Sequence, residues 1–228
     1  ESVEKFGADM VSLHLAGLES GEVDLRRTIE TIEDVLQAIR VPLAIGGFRE
    51  PALVEDALEG VAEVCEGERC LLMAATLERY KKIAACALAY GHDLVAYTPQ
   101  DVGLARQLAG LLLDLGVPTD RIVLDPTTAS LGYGFEYTIS TIERIKLGAL
   151  EGDELLQFPI LACPANSWKA REAWRKYPHY GPPERRGILW EVVAAVTCAL
   201  AGADLLVMLH PESIELARRA LVSLARGG

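Results

Sequence analysis

Seven short, continuously apolar runs alternate along this chain with segments of helical periodicity. Apolar residues at successive positions, rather than at alternate ones, are typical of parallel strands that are covered on both faces. Between the runs, apolar residues recur at steps of three and four, as from Leu25 to Ile39 and from Leu104 to Leu115, which predicts amphipathic helices. The predicted strands are Met10–Leu15, Pro42–Gly46, Cys70–Ala74, Leu94–Tyr97, Arg121–Leu124, Pro159–Cys163 and Asp204–Leu209.

Repeated strand–helix units without a long interruption predict one parallel sheet, and the fold class is therefore α/β. The favoured interpretation is a TIM (β/α)8-type barrel that forms a single domain over residues 1–228, since such barrels commonly have this length. A closed barrel of this type needs one strand more, so we expect its first strand to be missing from this chain and to lie before residue 1. An open doubly wound sheet, which needs no further strand, is the alternative.

The charge of the chain limits its partners. Asp and Glu number 33 against 22 Lys and Arg, which gives a formal net charge of −11. Such a chain repels nucleic-acid phosphates and anionic membranes. No apolar run approaches the roughly 20 residues that cross a bilayer, and no leader pattern stands at the start. We therefore expect a cytoplasmic protein with neither nucleic acid nor membrane as a partner.

The five cysteines do not follow a disulfide or metal-binding pattern. They are scattered, none forms a Cys-x-x-Cys pair, and no histidine lies at zinc spacing. The nearest two, Cys65 and Cys70, have no second pair to complement them. The sequence thus predicts reduced, mostly buried thiols, with no structural zinc and no self-contained iron–sulfur cluster.

Polar residues follow the predicted strands at the edge where parallel barrels bind their ligands. They are mostly amides and hydroxyls with one carboxylate, and they include neither the paired acids of a glycosidase nor a strand lysine for Schiff-base chemistry. This set predicts a large neutral ligand edged with amide groups, and it predicts no catalytic residue and no metal site. The candidate site residues are Thr98, Gln100, Asp125, Thr127, Thr128, Gly132, Asn166 and His210.

Several of these residues also have a structural interpretation. Asp125 either binds a ligand N–H or ring nitrogen, or holds the Thr127–Thr128 backbone in an Asx-type turn. The two threonines either bond the ligand or cap that turn. Gly132 permits close approach or a positive φ, and most glycines in such loops serve the turn alone.

Asn166 follows a predicted strand directly, and its amide can both donate and accept. Ligand contact is favoured there over a turn role. His210 and His14 could meet at a shared metal, although a structural role is the commoner one for isolated histidines. Cys163 is not expected to be a nucleophile, because Pro164 follows it and no base stands nearby in the sequence.

The segment from Pro164 to Gly187 is predicted to be irregular, and it is longer than a usual strand–helix connection. Between Trp168 and Arg186 it carries six basic residues against two acidic ones, together with several aromatic residues. Tyr, Trp and Arg are the residue types enriched at the centres of protein interfaces. We expect a surface for a protein partner, with a solvated loop whose aromatic rings pack on the barrel as the alternative.

Five ordered runs resemble one known family, the barrel subunit of the corrinoid iron–sulfur protein. This is the small subunit in acetogenic bacteria and the delta subunit of the acetyl-CoA decarbonylase/synthase complex in archaea. The similarity covers essentially the whole chain, and its most specific run is Asp-Pro-Thr-Thr-Ala-Ser-Leu-Gly-Tyr-Gly-Phe-Glu-Tyr-Thr at 125–138. The others are Glu-Gly-Glu-Arg-Cys-Leu-Leu at 66–72, Tyr-Lys-Lys-Ile-Ala at 80–84, Ala-Arg-Glu-Ala-Trp at 170–174 and Met-Leu-His-Pro at 208–211.

The resemblance implies a barrel that caps cobalamin held by a large, gamma-type subunit, with which it forms a heterodimer. The iron–sulfur cluster then lies on the large subunit. The pair would accept a methyl group from methyltetrahydrofolate or a related pterin through a methyltransferase, and pass it to acetyl-CoA synthase in the Wood–Ljungdahl pathway. Both of those enzymes are transient partners, and the barrel is not catalytic alone.

Two other functions compete with this one. The first is a pterin-dependent corrinoid methyltransferase, a related barrel in which Asp125 and Asn166 would grip the ring nitrogens and amide of the pterin. The second is a structural scaffold without ligand contact.

Overall fold

A computed structural model describes residues 2–22, 24–46 and 51–226 of the chain. Strands and helices alternate throughout these ranges. In chain order they are β1 (Val11–His14), α1 (Ala16–Glu19), α2 (Leu25–Ala38), β2 (Leu43–Gly46), α3 (Pro51–Val64), β3 (Leu71–Ala75), α4 (Tyr80–Tyr90), β4 (Asp93–Tyr97), α5 (Val102–Asp114), β5 (Ile122–Asp125), α6 (Phe135–Leu150), β6 (Leu161–Ala162), α7 (Arg171–Trp174), α8 (Pro183–Ala201), β7 (Leu205–Leu206) and α9 (Pro211–Arg226). Within those ranges, no helix has both the length and the apolar character that crossing a bilayer requires.

The contacts divide the chain into two compact units. The first unit comprises residues 8–97 and 106–123. Its strands β1 to β4 pair in parallel in chain order, and the start of β5 continues the sheet. Buried side chains of the sheet and its helices, including Ile32, Ile45 and Val61, form its core. Helix α2 begins where the Asp24 side chain accepts a hydrogen bond from the Arg27 N–H, because Asp satisfies a backbone donor that the first turn leaves open.

One buried histidine of the first unit is fully bonded. His92 is 1% exposed, and its Nδ1 accepts a hydrogen bond of 3.2 Å from the Cys70 N–H. Its Nε2 therefore carries the proton, which it donates to the Ala62 carbonyl at 2.8 Å. The imidazole thus serves as the hydrogen-bond partner of one backbone N–H, that of Cys70, and of one backbone carbonyl, that of Ala62.

The second unit comprises the described residues of 1–7, 98–105 and 124–228. Strands β6 and β7 pair in parallel here, and Leu124 at the end of β5 bridges to Ile160. Both strands are shorter than the sequence predicts. Just before β6, the Ile160 N–H donates to the Asp204 side chain at 2.8 Å, so a carboxylate takes the place of a backbone acceptor there.

Two sequence-based expectations about loops have different outcomes. Gly132 and Gly134 both adopt positive φ, as expected for the turn before α6. The prediction that residues 164–187 are irregular throughout is wrong, because residues 164–169 form a 3-10 helix, α7 follows, and α8 begins at Pro183. Proline favours the first turn of a helix, since its fixed φ suits that position and its missing N–H is not needed there.

Candidate functional site

The loop after β5 is a tight, internally bonded turn. The Asp125 Oδ1 atom accepts a hydrogen bond of 2.8 Å from the Thr127 N–H, and Thr127 has a φ of 66°. The backbone N–H groups of Thr98 and Gln100 donate to the carbonyls of Asp125 and Pro126, each at 2.9 Å. The Asx-type interpretation of Asp125 is therefore confirmed, and the positive φ of Thr127 follows from the same turn.

Asp125 retains binding capacity in spite of that turn. Burial raises the pKa of its carboxyl to about 6, and the Thr127 N–H offsets part of this increase by stabilising the ionised form. Among the described residues, the Thr127 N–H is the one hydrogen-bond donor to this carboxylate. The Oδ2 atom can therefore accept an N–H from a ligand. A carboxyl group with this pKa can also exchange a proton near neutral pH.

A second network joins this loop to the end of β6. The Thr128 hydroxyl accepts a hydrogen bond of 2.7 Å from the Cys163 N–H, and the Thr128 carbonyl accepts one of 2.9 Å from the Asn166 amide. Ser130 donates to the Asn166 carbonyl of the backbone. Thr128 thus acts inside the fold, whereas the side-chain oxygen of Asn166 can still accept a hydrogen bond.

Cys163 is half-buried beside this network. Burial raises the pKa of its thiol to about 11, and the negative charge of Asp125 acts in the same direction. A thiol with so high a pKa is almost entirely protonated at neutral pH, and the thiolate is the nucleophilic form. The expectation that Cys163 is not a nucleophile is consistent with this environment.

Two threonine hydroxyls at the same loops are buried without a partner in the described part of the chain, those of Thr98 and Thr127. Leaving such a group unpaired costs about 1–3 kcal/mol, so native structures usually supply a ligand or an ordered water molecule. The nearby Thr138 hydroxyl is used, because it accepts a hydrogen bond of 2.9 Å from the Ala129 N–H. At 3.5 Å, Gln100 Nε2 is only loosely bound to the same hydroxyl.

Glu191 orders two loops of the candidate site, and the sequence-based prediction omits it. Its side chain is completely buried on α8 and accepts three hydrogen bonds. The donors are Trp168 Nε1 at 2.9 Å, the His210 N–H at 3.1 Å and the Leu209 N–H. One carboxylate thereby connects the loop after β6 with the loop after β7. A lone acidic residue in an otherwise apolar stretch of α8 is the sequence signal that could have identified it.

His210 is held in one orientation by these contacts. Its ring stacks on Trp168 with centroids 5.9 Å apart, and its Nδ1 accepts a hydrogen bond of 3.2 Å from the Glu212 N–H. The neutral imidazole therefore carries its proton on Nε2 and can donate it to a ligand. Among the described residues, no group of three or more His, Cys, Asp or Glu side chains is placed to hold a metal ion.

All eight candidate residues belong to the second unit. Thr98 and Thr128 are buried, Gln100 and Gly132 are exposed, and the other four are partly buried. The groups that remain available to a ligand are therefore the Gln100 amide, Asp125 Oδ2, the Asn166 amide oxygen and His210 Nε2. That these residues bind a cofactor stays a prediction.

The sequence model of the CO dehydrogenase/acetyl-CoA synthase delta subunit family matches residues 1–217. The acetyl-CoA decarbonylase/synthase complex subunit delta of Methanosarcina mazei is 42% identical over 229 residues, which are 96% of this chain and 52% of that protein. The corresponding subunit of Methanothermobacter thermautotrophicus is 43% identical over 221 residues, 96% of this chain and 57% of that protein. The chain thus spans about half the length of these curated relatives.

Similar solved structures include dihydropteroate synthases. That of Thermus thermophilus has a TM-score of 0.65 at 23% identity, covering 98% of this chain and 85% of that one. The Yersinia pestis enzyme with a pterine-sulfa conjugate has a TM-score of 0.68 at 16% identity, covering 98% and 84%. At these identities the likeness shows the fold alone. The fold class is the α/β, TIM (β/α)8-type barrel that the sequence predicts.

Proposed function

The chain belongs to the CO dehydrogenase/acetyl-CoA synthase delta subunit family, and from this premise we propose that it is the barrel subunit of a corrinoid iron–sulfur methyl carrier. In this role it caps the cobalamin that a large, gamma-type subunit holds. The heterodimer accepts a methyl group from a methylated tetrahydropterin through a methyltransferase and delivers it to acetyl-CoA synthase. The partners and the activity of the whole protein are part of the proposal, because the chain covers about half of its relatives.

The observation that carries the proposal is the chemistry of the available groups in the second unit. Gln100 and His210 Nε2 can donate hydrogen bonds, while Asp125 Oδ2 and the Asn166 amide oxygen can accept them. A corrin ring edged with acetamide and propionamide groups needs both kinds of partner around its rim. The unpartnered hydroxyls of Thr98 and Thr127 also fit a site that a polar ligand completes.

Each residue has a positioning task in this proposal. Bound cobalamin supplies the methyl-transfer chemistry through its nucleophilic cobalt. The side chains of the barrel hold the amide edge of the corrin and keep water away from its reacting face. Asp125 accepts a corrin amide N–H when ionised, and the stacked Trp168 and His210 give this part of the rim a fixed surface.

The proposal is tested by producing the full-length chain together with a cobalamin-binding subunit of the same complex. We expect a heterodimer in gel filtration, and a visible corrinoid spectrum that differs from that of the cobalamin-binding subunit alone. A lack of heterodimer combined with an unchanged corrinoid spectrum would refute the proposal.

Two variants locate the contact. Gln100→Ala removes an exposed amide that is only loosely bound within the protein, so retention of cobalamin should weaken about threefold to tenfold. Asn166→Leu should have a similar or larger effect. Gln157→Ala is the matched control, because Gln157 is exposed and bonds the Ala149 carbonyl outside the candidate site. Equal retention in all three variants would place the cofactor elsewhere.

A pterin-dependent methyltransferase is the second candidate function, and one observation favours it. Asp125 combines a pKa of about 6 with an oxygen that can accept a ring N–H. We expect that methyltetrahydrofolate added to the full-length chain without its partners does not bind at micromolar concentration. Micromolar binding that Asp125→Asn abolishes would replace the capping proposal with this enzyme.

A further inference from the structure

The guanidinium group of Arg186 is buried, and no carboxylate among the described residues pairs with it. Arg186 lies near the start of α8 and is 7% exposed. Its Nη2 donates to the Arg175 carbonyl, whereas Nε and Nη1 have no hydrogen-bond partner in the described residues. An arginine has five N–H donors and keeps its charge at any ordinary pH. Burial of such a group without an anion is costly, so proteins rarely leave it unpaired.

Two tyrosine rings contact this guanidinium but do not replace an anion. Its central carbon lies 5.8 Å from the ring centroid of Tyr177 and 5.7 Å from that of Tyr180. The two rings are themselves in contact, with centroids 5.3 Å apart. Cation–π contacts contribute about 0.5–2 kcal/mol each, and they leave the in-plane N–H donors without acceptors.

The residues around Arg186 do not supply the missing carboxylate. Arg175, Lys176 and Arg185 are exposed basic side chains in the same segment. Glu172 accepts a hydrogen bond of 2.9 Å from the Tyr133 hydroxyl. Its own backbone N–H, that hydroxyl and, to a smaller extent, Arg171 and Arg175 lower the pKa of its carboxyl. Within the described ranges, then, this segment is a positive region of an acidic protein, with a buried cation at its centre.

We propose that Arg186, Tyr177 and Tyr180 form a pocket for a carboxylate from a protein partner, an Asp or Glu side chain that inserts beside the two rings. Guanidinium groups bind carboxylates through strong charge-assisted hydrogen bonds. The pocket shares with the proposed function only the requirement for a protein partner, and it does not depend on the corrinoid.

A carboxylate on a polypeptide fits this pocket better than a free ion does. Nε and Nη1 are hidden from solvent, so an entering anion must shed its water and move side chains that shield these atoms. A partner segment can offset that cost with further contacts, because Trp174 and Tyr180 are 52% and 59% exposed next to basic side chains. Aromatic residues around an arginine are the usual composition of an interface centre.

The test compares two adjacent arginines in the full-length chain, assembled with the other subunits of its complex. Arg186→Gln removes the buried charge, while Arg185→Gln removes the same charge from an exposed position. We expect the dissociation constant of the complex to rise at least about tenfold for Arg186→Gln and less than about threefold for Arg185→Gln. Equal effects of the two variants, or a wild-type chain that joins no complex, would overturn the proposal.

Two further readouts separate the pocket from a structural arginine and from a site for free ions. The melting temperature of the full-length chain alone should stay the same or rise in Arg186→Gln, because an unpaired buried charge is removed. A fall of several degrees would show that Arg186 is structural and overturn the pocket. Acetate and phosphate, titrated into the free chain, should not bind below about 10 mM; binding that requires Arg186, with complex affinity unchanged, would show a free-ion site instead.

The corrinoid spectrum distinguishes this proposal from the one before it. At concentrations that saturate the complex, Arg186→Gln should retain the wild-type spectrum. If the wild-type complex forms without any change in that spectrum, the capping role fails while the affinity comparison between Arg186 and Arg185 still decides the carboxylate pocket.

Discussion

His92 in the first unit and Arg186 in the second are both nitrogen-rich side chains in nearly complete burial, yet their surroundings differ. Both ring nitrogens of His92 are bonded, to the Cys70 N–H and the Ala62 carbonyl. Two of the three guanidinium nitrogens of Arg186 have no partner among the described residues. His92 is therefore satisfied by the protein itself, whereas the proposed carboxylate of a partner would satisfy Arg186.

The same difference extends to the two units. Among the described residues, the first unit has one buried side-chain polar atom without a partner, the Thr76 hydroxyl after β3. The second unit has the hydroxyls of Thr98, Thr127 and Ser167 as well as two atoms of Arg186. Unpaired buried groups cost stability unless a ligand, a partner or water satisfies them, so their concentration in the second unit agrees with the contacts proposed for it.

The largest test of this comparison concerns Glu191, which accepts three hydrogen bonds in the second unit. Glu191→Ala removes the shared acceptor of the Trp168, Leu209 and His210 donors and empties a completely buried position, so we expect a loss of about 3–5 kcal/mol in the free energy of unfolding. Urea denaturation of the full-length chain measures it. Glu184→Ala, an exposed position on the same helix, should change stability by less than about 0.5 kcal/mol. Similar losses in both variants would contradict the inference that the hydrogen bonds of Glu191 stabilise the second unit.

His92→Leu tests the first unit in the same way. It introduces an apolar side chain of similar size and leaves the Cys70 N–H and the Ala62 carbonyl unpaired. We therefore expect a loss of about 3 kcal/mol in the free energy of unfolding. The measurement is again the urea midpoint, with the exposed His179→Leu as control. A loss below about 1 kcal/mol would mean that water can replace the imidazole, and the contrast with Arg186 would weaken.

Asp125→Asn tests whether the second unit holds a costly charge. Because burial raises the folded pKa from 3.8 to about 6, this carboxyl favours the folded state most below about pH 4, and its contribution is lost as the pH rises through 6. The variant should therefore match the wild type near pH 4 and exceed its stability at pH 7 by up to about 3 kcal/mol. Urea denaturation from pH 4 to 8 measures the difference. A difference that is constant over this range would contradict the raised pKa.

The smallest effects concern two buried threonines of the same loops. Thr98→Val removes a hydroxyl that has no partner in the described chain, so stability should change by less than about 1 kcal/mol or rise. Thr128→Val removes the acceptor of the Cys163 N–H and should lower stability by about 1–2 kcal/mol. Thermal unfolding of the two variants gives the comparison. If Thr98→Val were the more harmful change, its hydroxyl would be bonded within the chain.

The sequence was sufficient for the strands, and it was less informative about individual contacts. Continuous apolar runs located all seven strands found in the described ranges, because burial on both faces leaves that pattern. For Asp125 the sequence left a ligand contact and an Asx-type turn open; the structure shows the turn, whose hydrogen bond spans only two residues and is therefore accessible to sequence reasoning. The contacts of Thr128 and Glu191 were not predicted, because their partners are distant in the sequence. Cys163 lies 35 residues from Thr128, and Trp168 lies 23 residues from Glu191. Composition alone did not reveal that Arg186 is buried while its neighbour Arg185 is exposed.

The triple acceptor role of Glu191 couples two segments that are distant in the chain. Trp168 follows β6, Leu209 and His210 follow β7, and one side chain fixes both. The His210 imidazole also stacks on the Trp168 indole, so a molecule that displaces one ring alters the packing of the other. Redesign of either segment for a new specificity would accordingly have to preserve the helix position that anchors them.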